Sequence, residues 1–275
     1  MNPKQLLQHH DSGQPWPDTV ATDAFGDVTE AYQTALAVRA LRCARGEQPR
    51  GYKIGFTNRT IWARYGVWAP VWGTVWDGSL SFCDDGVVEL PLAGLCQPRL
   101  EPEAVFGFKA TPVPGATLQD LFDAIEWVAP GFEIVQSHRP GWRFTAPETV
   151  ADSALHARLL VGPRQPLFDR AGMAGMAGMA GDALALHAAL AAARVVLHRD
   201  ATAVEEGTGA HVLGSPLQAL LHFLTELRQC PGATDLQPGD VVTTGTWTDA
   251  WPVQPGETWR ADFGAPLTPL QVRFA

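Results

Sequence analysis

The stretch Gln97-Pro-Arg-Leu-Glu-Pro-Glu-Ala-Val-Phe-Gly-Phe108 constrains the fold most. Glu101 and Glu103 stand two residues apart among apolar neighbours. Side chains alternate between faces along an extended chain, so both carboxylates project from one face of a sheet. Two carboxylates so placed repel unless a proton or a cation lies between them. A hard divalent ion such as Mg²⁺ takes oxygen ligands of this kind. The same pair also reads as two solvated charges on an edge strand, and the dipeptide alone does not decide. The rest of the chain must supply a third ligand and a buried setting.

Several functional classes are disfavoured at once. A net charge of −9 argues against general nucleic-acid binding, which needs a basic footprint. No apolar run approaches the roughly 20 residues of a membrane span, and Met1-Asn-Pro-Lys-Gln5 is not a secretory leader, so a cytoplasmic location is expected. Cys43, Cys83, Cys96 and Cys230 form no Cys-x-x-Cys pair, so free thiols are expected rather than a zinc site. Charged residues are 18% of the 275, below the usual quarter or so, which suggests that subunit contacts cover part of the surface and that the protein is a homo-oligomer.

Read in order, residues 1–50 form a helical lead and 51–275 a β-rich, metal-binding core, together one catalytic domain. Trp16 anchors the lead. Apolar spacing predicts a helix over 28–43, with Thr29 as its cap. Arg50–Thr57 reads as a strand carrying Lys53 between Tyr52 and Ile54, which is either paired in the interior or snorkelling at an edge. A short helix near 60–65 leads to a loop through the core bearing Trp68, Trp72 and Trp76, which ends at Asp77-Gly78. Strands with a turn at Asp84-Asp85-Gly86 follow. Leu118–Val128 has an amphipathic helical pattern stopped by Pro130-Gly131. Gly131–Gln136 is a strand with Glu133 pointing inward, and Ala157–Val161 is another. The Ala-Gly-Met repeat over 171–181 is an inserted loop. Residues 183–204 suggest strands, chiefly at 194–199, although 183–193 alone reads as helix. A Gly-rich loop over 207–216, a helix over 216–228, a buried strand ending at Gly245 and two final strands complete the chain. The pattern favours an α+β fold with a mixed β core.

Glu101, Glu103 and Glu133 are then three carboxylates on neighbouring elements, a set suited to Mg²⁺ or Mn²⁺ with positions left for water and substrate. Six segments, Gly51-Tyr-Lys-Ile-Gly-Phe-Thr57, Glu101-Pro-Glu103, Glu133-Ile-Val135, Val150-Ala-Asp-Ser153, Leu213-Gly-Ser-Pro-Leu217 and Pro238-Gly-Asp240…Thr244-Gly245, occur in this order. Together they resemble the 2-keto-4-pentenoate hydratase and 2-oxo-3-hexenedioate decarboxylase branch of the fumarylacetoacetate hydrolase superfamily, from about Val28 to the C-terminus. The resemblance implies a mixed β-roll or sandwich with peripheral helices. It implies Glu101, Glu103 and Glu133 as metal ligands, Lys53 and Asp77 as catalytic groups, and Thr244 and Gly245 beside the substrate carboxylate. Ser153 stands where the family has Asn, at a position that touches substrate. Trp72, Trp76 and Trp247 make the expected pocket bulkier.

The activity so implied is a metal-dependent hydratase acting on a 2-hydroxy-2,4-dienoate to give a 4-hydroxy-2-oxo acid, as in aromatic-compound catabolism. A 2-oxo-3-hexenedioate decarboxylase is the alternative, because the branch shares its metal and lysine motifs. A carbon–carbon bond hydrolase of the acylpyruvate type ranks third. A catalytically silent assembly partner of a hydratase or decarboxylase is the non-enzyme reading.

Overall fold

A computed structural model of the chain describes residues 1–168 and 182–275. The Ala-Gly-Met repeat therefore lies outside the described residues. The chain opens with α1 (Pro3–Ser12) and α2 (Val28–Ala44). Asp27, not Thr29, caps α2: its carboxylate accepts from Glu30 N–H while the Glu30 carboxylate accepts from Asp27 N–H. An N-cap needs extended backbone and a free side-chain acceptor, and Asp27 supplies both two residues before Thr29. Trp16 is buried as expected.

Next come β1 (Pro49–Gly55), a short α3 (Trp62–Tyr65), β2 (Val71–Trp76), β3 (Leu80–Phe82), β4 (Val87–Leu90) and β5 (Arg99–Phe108). The tryptophan-rich loop expected here is in part a strand. Gly66, left-handed at φ 63°, ends α3, and the β-branched and aromatic run from Val71 to Trp76 pairs antiparallel with β1. The turn at 84–86 does not close a hairpin: β3 and β4 join different sheets.

The helix expected over 118–128 stops early. α4 (Leu118–Ala124) gives way to β6 (Ile125–Val135), which pairs along its length with β5. Ile125, Trp127 and Val128 carry the helical spacing, but they are also strand formers, and pairing with β5 decides the conformation. Pro130 and Gly131 lie inside β6. After α5 (Ala146–Ala151) come β7 (His156–Val161) and the short β8 (Gln165–Pro166). Residues 183–204 divide into α6 (Ala183–Ala192), β9 (Arg194–Arg199) and the start of β10 (Thr202–Thr208), so strand held only for the second half. The expected Gly-rich loop begins as the end of β10. The chain closes with α7 (Pro216–Gln229), β11 (Val241–Thr243), β12 (Trp251–Pro252), β13 (Thr258–Phe263) and β14 (Leu270–Phe274).

The strands make two mixed sheets. The larger runs β2-β1-β11-β5-β6-β7-β3, with β12 and β8 paired onto β5 and β6; the smaller runs β10-β9-β13-β14-β4. One apolar cluster joins Leu100, Phe106 and Phe132 of the first sheet to Leu197 and Trp259 of the second and to Phe223 of α7. The even-numbered face of β5 supplies that core. The odd-numbered face carries Glu101 and Glu103, then Val105, which packs with Val75, Ala129, Leu159, Val161 and Val241 in a small separate cluster. The site thus stands on a rigid apolar floor.

Candidate metal centre

Strand register brings the acidic residues together. Glu101 lies directly opposite Glu133 across β5 and β6. On the other flank Lys53 pairs with Thr243, and Thr243 with Val105, which sets Lys53 on the same face. Its Nζ lies 3.1 Å from Glu133 Oε2. Oxygens of Glu101, Glu103 and Glu133 all lie within 4.8 Å of one another. Lys53, Glu103 and Glu133 are buried, and Glu101 is half-buried, opening onto a cleft of about 510 Å³.

The electrostatics describe a set of groups short of positive charge. Burial pushes the Glu101 carboxyl up to about 7; Lys53 opposes the shift and Glu133 reinforces it. Burial, then repulsion from Glu133 and Glu101, raises the Glu103 carboxyl well above its ordinary value. Burial alone would lower the Lys53 ammonium, but Glu133, Glu101 and Glu103 together shift it upward, so it stays cationic. One ammonium cannot balance three carboxylates in a poorly solvated place, so without a further cation the Glu101 and Glu103 carboxyls hold their protons to higher pH.

The buried carboxylates also have oxygens to spare. Glu103 Oε2 accepts from Gly245 N–H at 2.7 Å and from the Thr243 hydroxyl, while its Oε1 has no hydrogen-bond partner. Glu133 Oε1 is engaged by His156 Nδ1 at 2.8 Å, and its Oε2 faces Lys53 without hydrogen-bond alignment. Buried polar atoms are seldom left unpartnered. Orphaned carboxylate oxygens converging on one point, with one ammonium among three carboxylates, suit a hard divalent cation, and Glu101, Glu103 and Glu133 would hold it.

Other expected site residues divide. Gly245 lines the cleft at φ 103°; a Cβ there would lie 2.0 Å from Thr57 Oγ1, so only glycine fits. Trp247 reaches the cleft, with its ring buried edge-on to Phe263. Thr244 does not: its hydroxyl donates to the Ala104 carbonyl at 2.9 Å and is fully buried. Trp72 and Trp76 lie on the wrong face. Trp72 pairs with Ile54 and shares the even-numbered face, stacked on Tyr32, whereas Lys53 projects from the odd face. Trp76 packs under the Arg42 guanidinium at 4.2 Å. Asp77 is exposed, and its Oδ1 accepts from the backbone N–H groups of Gln48 and Gly78. Lys53 pairs with Gly73, so Asp77 sits four residues farther along, about 13 Å at strand rise. Ser153 faces His10, with its Oγ 3.2 Å from His10 Nε2, and does not line the cleft.

Groups that the sequence did not mark also line the cleft. Arg99 shares the odd face with Glu101; its guanidinium lies over Trp142 at 4.2 Å and donates to the Ala250 carbonyl. The parity that placed the two glutamates would have placed Arg99 as well. Phe56, Tyr65 and Phe144 stack in series along one wall. His211 Nδ1 donates to the Trp247 carbonyl, which leaves Nε2 as an acceptor at the mouth. A second buried cluster, His10, His138 and Asp152, lies where α1 meets the body.

Known proteins resemble this chain in sequence and in fold. Residues 100–274 match the fumarylacetoacetate (FAA) hydrolase C-terminal family profile. A 2-hydroxyhexa-2,4-dienoate hydratase of Comamonas testosteroni is 32% identical over 84% of this chain and 80% of its own length. A 4-oxalocrotonate decarboxylase of a Pseudomonas species is 30% identical over 91% of this chain and 88% of its own. The solved 4-oxalocrotonate decarboxylase of Pseudomonas putida G7, complexed with magnesium and adipate, superposes with a TM-score of 0.81 at 27% identity, covering 99% of this chain and 95% of that one. On its sequence, its sheet topology and its cluster of carboxylates, the chain belongs to the fumarylacetoacetate hydrolase family.

Proposed function

We propose that the protein is a metal-dependent lyase that adds water to a 2-hydroxy-2,4-dienoate and yields a 4-hydroxy-2-oxo acid. The observation that carries this reading is the converging set of Glu101, Glu103 and Glu133, with a cationic Lys53 beside it, at the base of a cleft walled by Phe56, Tyr65 and Phe144. Such a wall suits an unsaturated hydrocarbon tail. Bound Mg²⁺ or Mn²⁺ would supply Lewis-acid stabilisation of negative charge on the 2-oxygen of a 2-oxo acid. Lys53 adds a second positive charge there and can hold or deliver a proton. Gly245 closes the cleft near Glu103, where a larger residue would displace the substrate head and Thr57. Asp77 is too far away to act, whereas Lys53 and His211 both line the cleft and can move protons there.

One observation favours decarboxylation of a 2-oxo-3-hexenedioate as the second reading. Arg99 presents a guanidinium in the cleft that makes no close ion pair among the described residues, although Glu101 and Asp249 lie near enough to act on it. A substrate with a second carboxylate would supply that close partner. Incubation with 2-hydroxypenta-2,4-dienoate and Mg²⁺ should give metal-dependent loss of dienol absorbance, which chelator abolishes. Release of CO₂ from 2-oxo-3-hexenedioate, with no turnover of the pentadienoate, would replace the first reading by the second. No turnover of either substrate by metal-loaded protein would favour the assembly-partner reading. The protein acts as a homo-oligomer in this reading, which a solution mass measurement tests.

A further inference from the structure

We propose that His156, backed by Ser79, is a positioning residue that holds Glu133 with one oxygen engaged and the other directed to the metal position. The inference rests on the metal reading above.

The backbone shows how His156 comes to face the site. Leu159 pairs with Glu133 and Arg158 with Ile134, but the next pair is His156 with Val135. Ala157 is the extra residue of a β-bulge. Regular alternation would put His156 on the face opposite Leu159; the bulge turns it onto the face of Glu133. There His156 Nδ1 lies 2.8 Å from Glu133 Oε1, and Nε2 lies 2.8 Å from Ser79 Oγ.

Glu133 sets the proton on one nitrogen of the His156 ring, and the single Ser79 hydroxyl proton has two acceptors in reach, His156 Nε2 at 2.8 Å and the Trp76 carbonyl at 3.1 Å. A carboxylate only accepts, so His156 Nδ1 carries the hydrogen. A neutral ring then has a bare Nε2, which can accept from the Ser79 hydroxyl. Ser79 Oγ in turn accepts from Trp76 N–H at 3.0 Å. The chain Trp76–Ser79–His156–Glu133 is buried throughout. Ser79 thereby buttresses the far side of the His156 ring, and His156 holds the carboxylate. Glu103 is held in the same way by different means: Gly245 N–H and the Thr243 hydroxyl take Oε2 and leave Oε1 free. In both buried glutamates one oxygen is held so that the other is presented. Partners of this kind behind a ligand are generally worth about 10- to 100-fold in metal affinity.

The test measures Mn²⁺ binding to chelator-treated protein, by the electron paramagnetic resonance signal of free Mn²⁺, for wild type, His156→Ala, His156→Asn and Ser79→Ala. Thermal melts confirm folding. The amide nitrogen of Asn occupies the position of Nδ1 and keeps the donor. Expected are a loss of about 10- to 100-fold in affinity for His156→Ala, near-wild-type affinity for His156→Asn, and a loss of a few-fold for Ser79→Ala. A folded His156→Ala that binds Mn²⁺ like wild type overturns the proposal. If the Ala variant does not fold, an Asn variant that folds but has lost the metal overturns it instead. Wild type that fails to bind Mn²⁺ refutes the underlying metal reading, whereas wild-type binding unaffected by these substitutions refutes only the role of His156.

Discussion

Two buried clusters in this molecule each place three potential ligand atoms within 4.8 Å of one another, yet they are opposites. In the first, three carboxylates face one ammonium. In the second, one carboxylate faces two imidazoles. Burial alone would lower the His138 imidazole, but Asp152 outweighs it and raises it above its ordinary value; His138 Nδ1 lies 2.6 Å from Asp152 Oδ1. Burial and the neighbouring His138 push His10 down to about 3, so His10 stays neutral. Both Asp152 oxygens are used: Oδ2 accepts from His138 N–H, and Oδ1 is shared by the two rings. The one atom without a hydrogen-bond partner, His138 Nε2, is on the far side of the ring from Asp152. Proximity of ligand atoms therefore does not distinguish a binding site from a structural clamp. Unsatisfied charge aimed at a common point does.

The sharpest way to break this contrast is to neutralise one member of each cluster. Glu103→Gln should cost on the order of 10³-fold in turnover, since it removes a ligand to the group that stabilises developing charge. It should leave the melting temperature of the metal-free protein unchanged or higher, because a buried repulsion is relieved. Asp152→Asn should do the reverse. It should destabilise the fold by about 3–5 kcal/mol, the cost of stranding a buried charge, while the folded fraction keeps its Mn²⁺ affinity. Denaturant titration and metal binding on both variants give the four numbers needed, and a tenfold loss of Mn²⁺ affinity in Asp152→Asn would end the distinction.

A smaller effect is expected from pH. Glu101 is raised to about 7 in the folded, metal-free protein, so between its ordinary range near 4.5 and 7 the folded state binds more protons than the unfolded one. Stability of the metal-free protein should then fall as pH rises through that window. Protons and metal compete for the same oxygens, so the rise in melting temperature produced by Mg²⁺ should be greater at pH 8 than at pH 5.5. An increment independent of pH would argue against Glu101 as a ligand. The smallest effect expected is for Asp77→Asn, which should leave kcat/KM unchanged because that carboxylate is exposed and distant.

The clustering of the three proposed metal ligands was legible in the sequence because alternation within a strand is a strict rule. Glu101 and Glu103 had to share a face, and Glu133 among apolar neighbours had to point inward. The misplaced tryptophans trace to one cause. With 66–76 taken as loop, no parity could be assigned, and nothing showed that Trp72 and Trp76 lie on the face opposite Lys53. Asp77 failed for the same reason, since distance along a strand is readable only once the strand is known. His156 was hidden more deeply. A single-residue bulge reverses the parity of every residue before it, and Ala157 gives no local sign of being the extra residue.

Thr243, Gly245 and His156 differ in how readily mutation can reach them. The main-chain N–H of Gly245 that orients Glu103 exists whatever residue is encoded there, and steric exclusion by Thr57 already confines the position to glycine. That support is conserved by geometry and offers little to vary. The imidazole behind Glu133 is an ordinary side chain, replaceable by a single codon change. Substitution can therefore reach the support of Glu133 through His156 and that of Glu103 through Thr243, while the Gly245 N–H on Glu103 stays out of its reach.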